Sequence, residues 1–186
     1  IGYQARFTET PTGSFEALTT LQAALNLPSL PRRIECFDIS TIQGSETVAS
    51  MVVCEDGRMR PGEYRKFRIG RLRASGSDDF AAMHEVVLRR YRRLLEQGGA
   101  FPDLVLLDGG AGQVRAAYAA LEELGLANLV AVGLAKKEEL LFLRDRPGPV
   151  ALATTSPALL LVERIRDEAH RFAVTFHRRA RRMRDL

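Results

Sequence analysis

Asp103-Leu104-Val105-Leu106-Leu107-Asp108-Gly109-Gly110 decides the fold. Its continuous apolar run, Leu104 to Leu107, is the mark of a strand covered on both faces, and parallel sheet geometry is implied by such cover. A helix is expected directly after it, from Gly112 to Leu124, and Leu129 to Leu134 repeats the buried-strand pattern. Leu140 to Leu143 and Val150 to Ala153 bracket Pro147-Gly148-Pro149 as a hairpin. Ser156-Pro157 then opens a last long helix reaching Met183, with proline in its preferred first turn. Leu161, Ile165, Ala169, Phe172, Ala173 and Phe176 form its apolar stripe, while Glu163, Arg166, Asp167, His170 and His177 line another face.

Upstream of this stretch the pattern changes. Thr12 to Leu27 reads as a helix, with Ser14 as N-cap, Leu18, Leu21 and Leu25 at spacings of three and four, and Pro28 and Pro31 to stop it. Arg33 to Ser40 alternates and turns at Gly44. Thr47 to Cys54 is a second strand ending in the hairpin signal Glu55-Asp56-Gly57, and Tyr64 to Ile69 reads as the third strand of a meander. After a Gly/Ser/Arg-rich loop, Gly70 to Ser77, a helix from Asp79 to Gln97 places Phe80, Met83, Val87, Tyr91 and Leu94 on one face and ends at Gly98-Gly99. The expectation is an α/β fold, a mixed sheet of three antiparallel strands followed by parallel β/α units, with helices on both faces. Residues 1–31 are expected to be a helical lead-in or linker and residues 32–186 the domain proper.

Composition bounds what such a domain can do. The chain has 186 residues, 46% of them hydrophobic and 27% charged, which suits one sizeable core. Lys and Arg total 27 against 23 Asp and Glu, a net charge of +4, so the chain is basic without being a polycation, and disordered or acidic-tail readings are excluded. No apolar run approaches the roughly 20 residues of a bilayer span, and Ile1 to Thr20 lacks the order of a secretory signal, so a soluble, cytoplasmic protein is expected, with no membrane partner. Cys36 and Cys54 both fall in strands, where small buried thiols are ordinary. The chain begins at Ile1, which suggests a piece excised from something longer.

Open α/β sheets place ligands at the C-terminal ends of their strands, and Asp38 and Asp108 stand there. A carboxylate buried unpaired costs several kcal/mol, so each needs a cation, a donor set or a metal. Asp before Gly-Gly also simply closes a strand. Two aspartates ending neighbouring central strands, however, can share one divalent ion, and hard cations choose oxygen ligands. Gly109-Gly110-Ala111-Gly112 could instead cradle a phosphate, but it lacks the lysine and hydroxyl of a P-loop and the spacing of a dinucleotide fingerprint. His170 is a solvated helix histidine or a functional one; it stands among Arg164, Arg166, Asp167, Glu168 and Arg171. Lys136, Arg164 and Arg171 are candidate phosphate contacts and could equally be surface charges. The run Arg178 to Arg184 is a solvated face or a further phosphate contact, with no aromatic beside it to signal base stacking.

Five blocks carry a family likeness. Phe37-Asp38-Ile39-Ser40 with Gln43-Gly44, Val48-Ala49-Ser50-Met51-Val52-Val53, Leu107-Asp108-Gly109-Gly110 with Gly112-Gln113, Gly133-Leu134-Ala135-Lys136, and Arg164-Ile165-Arg166-Asp167-Glu168-Ala169-His170-Arg171-Phe172-Ala173 follow one another between about Arg32 and Arg179. Together they resemble the C-terminal nuclease half of the UvrC family of bacterial excinuclease proteins. The resemblance implies a ribonuclease H-like fold related to endonuclease V, and incision of damaged double-stranded DNA 5′ of the lesion in nucleotide excision repair, with UvrB of the same excinuclease as partner. It also implies a catalytic and metal-binding trio, carried over onto Asp38, Asp108 and His170, with Mg2+ or Mn2+ as cofactor. His170 would ligate metal or act as acid or base. Thr41 and Ile42 stand where the family commonly has histidine and threonine. The N-terminal GIY-YIG nuclease, the UvrB-binding segment and the helix-hairpin-helix module of the family are expected outside this chain. A nuclease-like fold kept as a non-catalytic DNA- or partner-binding module is the rival reading, and replacement of Asp38 or Asp108 would have favoured it.

Overall fold

The computed structural model describes residues 11–42, 46–70 and 79–185, with side chains over 13–41, 46–70 and 79–175. Helix α1 (Pro11–Leu25) precedes the antiparallel pair β1 (Arg33–Ile42) and β2 (Glu46–Glu55), whose register runs from Arg33 opposite Glu55 to Ile42 opposite Glu46. Two short strands, β3 (Arg58–Met59) and β4 (Arg65–Arg68), share the outer edge of β2. Helix α2 (Asp79–Gln97) crosses to β5 (Leu104–Asp108), and α3 (Ala111–Glu123) leads to β6 (Ala131–Ala135). Then follow β7 (Leu140–Leu143), β8 (Val150–Ala151) and α4 (Pro157–Asp185). The eight strands form one mixed sheet in the order β3-β2-β1-β5-β6-β7-β8, with β4 beside β3 along β2. β5 lies parallel to both β1 and β6; the other pairings are antiparallel. The mixed α/β architecture expected from the patterning is the one found.

Strand alternation separates two cores. Ile34, Cys36, Val52, Cys54, Leu104, Leu106 and Leu134 face α1 and α4, where Leu18, Leu21, Leu161 and Ile165 meet them. Phe37, Met51, Val53, Val105 and Leu107 face α2 and α3 through Met83, Val87, Tyr91, Val114 and Leu121. Helix α1 therefore buries its leucines in the same layer as the sheet. It ends where Asn26 adopts a left-handed conformation, φ 52°, and Leu27 N donates to Gln22 O at 3.0 Å. At the other end of the chain, Ser156 Oγ accepts from Ala158 N at 3.2 Å and caps α4 in front of Pro157. Cys36 and Cys54 are buried free thiols.

Three expectations need correcting. Ser14 is not the N-cap of α1: the helix runs Pro11–Leu25 and holds Ser14 buried inside it, whereas the third strand of the meander is found at Arg65–Arg68, with the 3-10 turn Pro61–Glu63 before it. Phe80 is not part of the buried face of α2. It is 54% exposed, and its ring lies against Gly112 in the first turn of α3. The strand expected over 129–134 begins only at Ala131, Leu129 and Val130 being half-buried approach residues. The turn at Gly44, the loop beyond Gly70, and the side chains of Phe176, His177 and the Arg178 to Arg184 run lie outside the described residues.

Candidate active site

Parallel pairing of β1 and β5 sets Phe37 beside Leu107, so the next residues along, Asp38 and Asp108, end up side by side. Alternation turns both towards α4, above Cys36 and Leu106. Asp38 is 5% exposed, and its carboxyl and that of Asp108 are hydrogen-bonded to each other. Burial first, then the hydrogen bond and charge of Asp108, push the Asp38 carboxyl up to about 7, with Asp79 adding to the rise and Lys136 opposing it.

Four buried side-chain atoms among the described residues have no hydrogen-bond partner: Asp38 Oδ2, Ser50 Oγ, Gln113 Oε1 and Glu139 Oε2. All four belong to one end of the sheet. Ser50 lies directly opposite Asp38 across β1 and β2. Gln113 folds over Gly109, whose positive φ of 155° and contact with that side chain leave no room for a Cβ. Glu139 follows β6 in the turn to β7. Orphaned buried oxygens are costly, and these four gather at the carboxyl ends of the central strands, where open α/β sheets receive ligands. Asp38 and Asp108 supply hard oxygen donors that fit a divalent ion such as Mg2+ or Mn2+. No group of three or more His, Cys, Asp or Glu side chains converges among the described residues. An ion there would be completed by water or by substrate oxygens.

Helix α4 brings a second set of charges to this end. Arg166, 8% exposed, donates to Glu139 Oε1 at 2.7 Å and to Asp167 Oδ1 at 3.2 Å. Glu163 shares a hydrogen bond with Glu139, and burial, that bond and the Glu139 charge push Glu163 up to about 7. Glu139 is itself held low: burial raises it, but the hydrogen bond with Glu163 and the Arg166 guanidinium outweigh burial. The Cys36 thiol is pushed well up by burial, then by Asp108 and Asp38, against a lowering by Arg166, so all three charges reach this point beneath the site.

The sequence-derived residues divide accordingly. Asp38 and Asp108 are brought together, and Lys136, exposed at the end of β6, is near enough to act on Asp38. His170 lies on the exposed side of α4, one turn beyond Arg166, and makes no hydrogen bond or ion pair among the described residues. Arg164 donates to Gly57 O at 3.1 Å, at the Arg33 end of β1, five residues and about 17 Å along the strand from Asp38. Arg171 is bound to Glu168 through both carboxylate oxygens, at 2.7 and 2.9 Å, and Glu168 also accepts from Tyr64 Oη at 2.7 Å. Sequence reading missed Asp79, Ser50, Gln113 and Arg166. Asp79 passes for an ordinary acidic residue in the first turn of a helix, and Ser50 carries no local signal at all. The glycine turn has a packing explanation: a Cβ on Gly133 would meet Gly109 O at 2.5 Å and Gly110 O at 3.2 Å, so these glycines allow the turn to close against β6.

Residues 22–174 match the family described as UvrC RNAse H endonuclease domain. UvrABC system protein C of Acidobacterium capsulatum is 54% identical over 184 residues, covering 98% of this chain and 28% of the relative. The protein of the same name from Koribacter versatilis is 54% identical over 168 residues, covering 90% of this chain and 27% of the relative. The chain thus spans less than a third of the length of these curated relatives. Among solved structures, human ENDOV matches at 17% identity with a TM-score of 0.41, over 74% of this chain and 64% of that one.

Proposed function

The chain belongs to the UvrC RNase H endonuclease domain family, and on that premise we propose that it hydrolyses a DNA phosphodiester 5′ of a lesion during nucleotide excision repair, using a divalent ion held by Asp38 and Asp108. The observation that carries this reading is buried Asp38, set beside half-buried Asp108 and with its own Oδ2 unpartnered. When bound, such an ion supplies a water of lowered pKa and a positive charge for the non-bridging phosphate oxygens. Asp38 and Asp108, ending two neighbouring strands, would hold that ion through their carboxylate oxygens. Lys136, exposed at the rim, offers its ammonium to the incoming phosphate. His170, exposed on α4 and without a structural partner among the described residues, is the candidate acid or base for the leaving oxygen. Arg166, bound to Glu139, holds the turn after β6 against α4. Damaged double-stranded DNA is the substrate in this reading, and UvrB is the partner that delivers it; the setting is cytoplasmic. Among the described residues no helix is long and apolar enough to cross a membrane.

Manganese serves as the probe. Titration of the chain with Mn2+, followed by the electron paramagnetic resonance of the free ion, should show saturable binding that weakens at least tenfold in Asp38→Asn and in Asp108→Asn. Equal binding in wild type and both variants would overturn the metal-site reading.

A further inference from the structure

A groove of about 370 Å3 runs between edge strand β4 and helix α2, on the far side of β2 from the aspartates. Arg65, Arg89, Arg92 and Arg93 line it around Phe67, with Glu96 the one acidic residue. On α2, positions 89, 92, 93 and 96 follow helical spacing, so three guanidiniums stand along one stripe beside a strand that carries another. Like charges so arranged repel unless an anion is there to be met. Positive charge does protect exposed sheet edges, and that accounts for arginines on β4 itself. It does not account for a matching row on the neighbouring helix.

The groove's arginines are of two kinds. Arg65 donates to Tyr64 O at 2.9 Å, while Arg89 donates to Arg68 O, pairs with Glu85 at 3.2 Å and covers the Phe67 ring at 5.6 Å. These two are built into the wall. Arg92 and Arg93 are exposed and make no hydrogen bond or ion pair among the described residues. Guanidinium forks match phosphate oxygens, and Phe67, already covered by Arg89, offers no open face to a base. From Asp79, near the site, to Arg92 is thirteen residues of helix, about 20 Å, the rise of about six base pairs of duplex.

We infer that this α2–β4 groove is a nucleic-acid backbone site, binding the phosphates of DNA that flanks the cut, without regard to sequence. The inference rests on the nucleic-acid part of the proposed function and adds a surface separate from the aspartates. Opposite it, at the β7 edge, Arg115 and Arg146 line a hollow in which Arg144 is paired with Glu122, so that edge provides a control of equal charge.

The test is fluorescence anisotropy of the 186-residue chain with a labelled, undamaged 30-base-pair duplex over a KCl series, comparing wild type, Arg92→Glu/Arg93→Glu and Arg115→Glu/Arg146→Glu. Both double variants change only exposed side chains, and circular dichroism melts confirm folding. The groove variant should bind about tenfold or more weakly at low salt, with its log–log salt slope reduced by about two, while the control loses less than about threefold. Equal losses in the two variants, or none in the groove variant, overturn the proposal; in the second case an acidic protein surface becomes the fitting partner. Mn2+ binding is read on the same samples. Its absence would fail the nuclease reading and leave a selective loss of DNA affinity standing, so the two failures are distinguishable.

Discussion

Strand β1 carries two buried carboxylates three residues apart and treats them in opposite ways. Glu35, fully buried on the α2 side, accepts from Tyr91 Oη at 2.7 Å, from Arg90 Nε at 3.2 Å and Nη2 at 3.0 Å, and from Arg33 Nε at 3.0 Å. Asp38, on the α4 side, has another carboxylate for a neighbour and an oxygen with no partner. Burial of a charge is tolerable when the fold provides cations and donors, and Glu35 is the solved case. Where the fold withholds them and adds like charge instead, the residue is held in an unfavourable state that a ligand relieves, the usual signature of a functional position. Burial is common to both; the company each carboxylate keeps separates structure from chemistry.

The sharpest way to break this contrast is to remove each carboxylate in turn. Asp38→Ala and Asp108→Ala, placed in the full-length protein, should each reduce 5′ incision by about a thousandfold or more, leave 3′ incision in place, and keep or slightly raise the melting temperature, since each removes like charge. Near-normal 5′ cutting by either would sink the metal reading. Glu35→Ala should do the reverse. Stripping the shared acceptor from Arg33, Arg90 and Tyr91 should cost about 3–5 kcal/mol in a urea melt, with activity falling only as the folded fraction falls. A stable Glu35→Ala protein would mean that the network is ornamental.

His170→Ala comes next in size: a loss of about a hundredfold in 5′ incision, with a melting temperature within about 2 °C of wild type, because the side chain is exposed. Unchanged incision kinetics would reduce His170 to a solvated helix residue. The smallest effect concerns pH. The folded-state carboxyl of Asp38 is lifted from 3.8 to about 7, so the native state binds the extra proton, and stability drains away as pH rises from about 4 through 7. Asp38→Asn cannot ionise. Its melting temperature should exceed that of wild type by roughly 3–8 °C at pH 8, the gain vanishing towards pH 4; a gain independent of pH would show that Asp38 ionises freely in the folded protein.

Much of the architecture is legible in local pattern. The run Leu104 to Leu107 marks a strand covered on both faces, and the spacing of Met83, Val87, Tyr91 and Leu94 marks the buried face of α2, because burial imposes a period that the chain displays residue by residue. The same reasoning misplaces Phe80, which satisfies the period but lies exposed against Gly112. Asp38 and Asp108 stand out because a carboxylate ending an apolar strand is conspicuous. Ser50 and Gln113 are ordinary residues until pairing and packing bury them beside the aspartates.

By itself the sequence determined which segments are strands and helices, that two aspartates close central strands, and the family likeness. Only the tertiary structure decided that Asp38 and Asp108 stand side by side, that Glu35 is satisfied, and that Arg164 is fastened to Gly57 at the far end of the sheet. The physical reason is that local conformation follows from the period of neighbours along the chain, whereas a side chain's partners depend on register between distant segments. Arg33 N meets Asp103 Oδ2 at 2.9 Å across a separation of 70 residues, and that alignment of β1 with β5, which brings Asp38 beside Asp108, is set by the packing of the whole sheet between its helices.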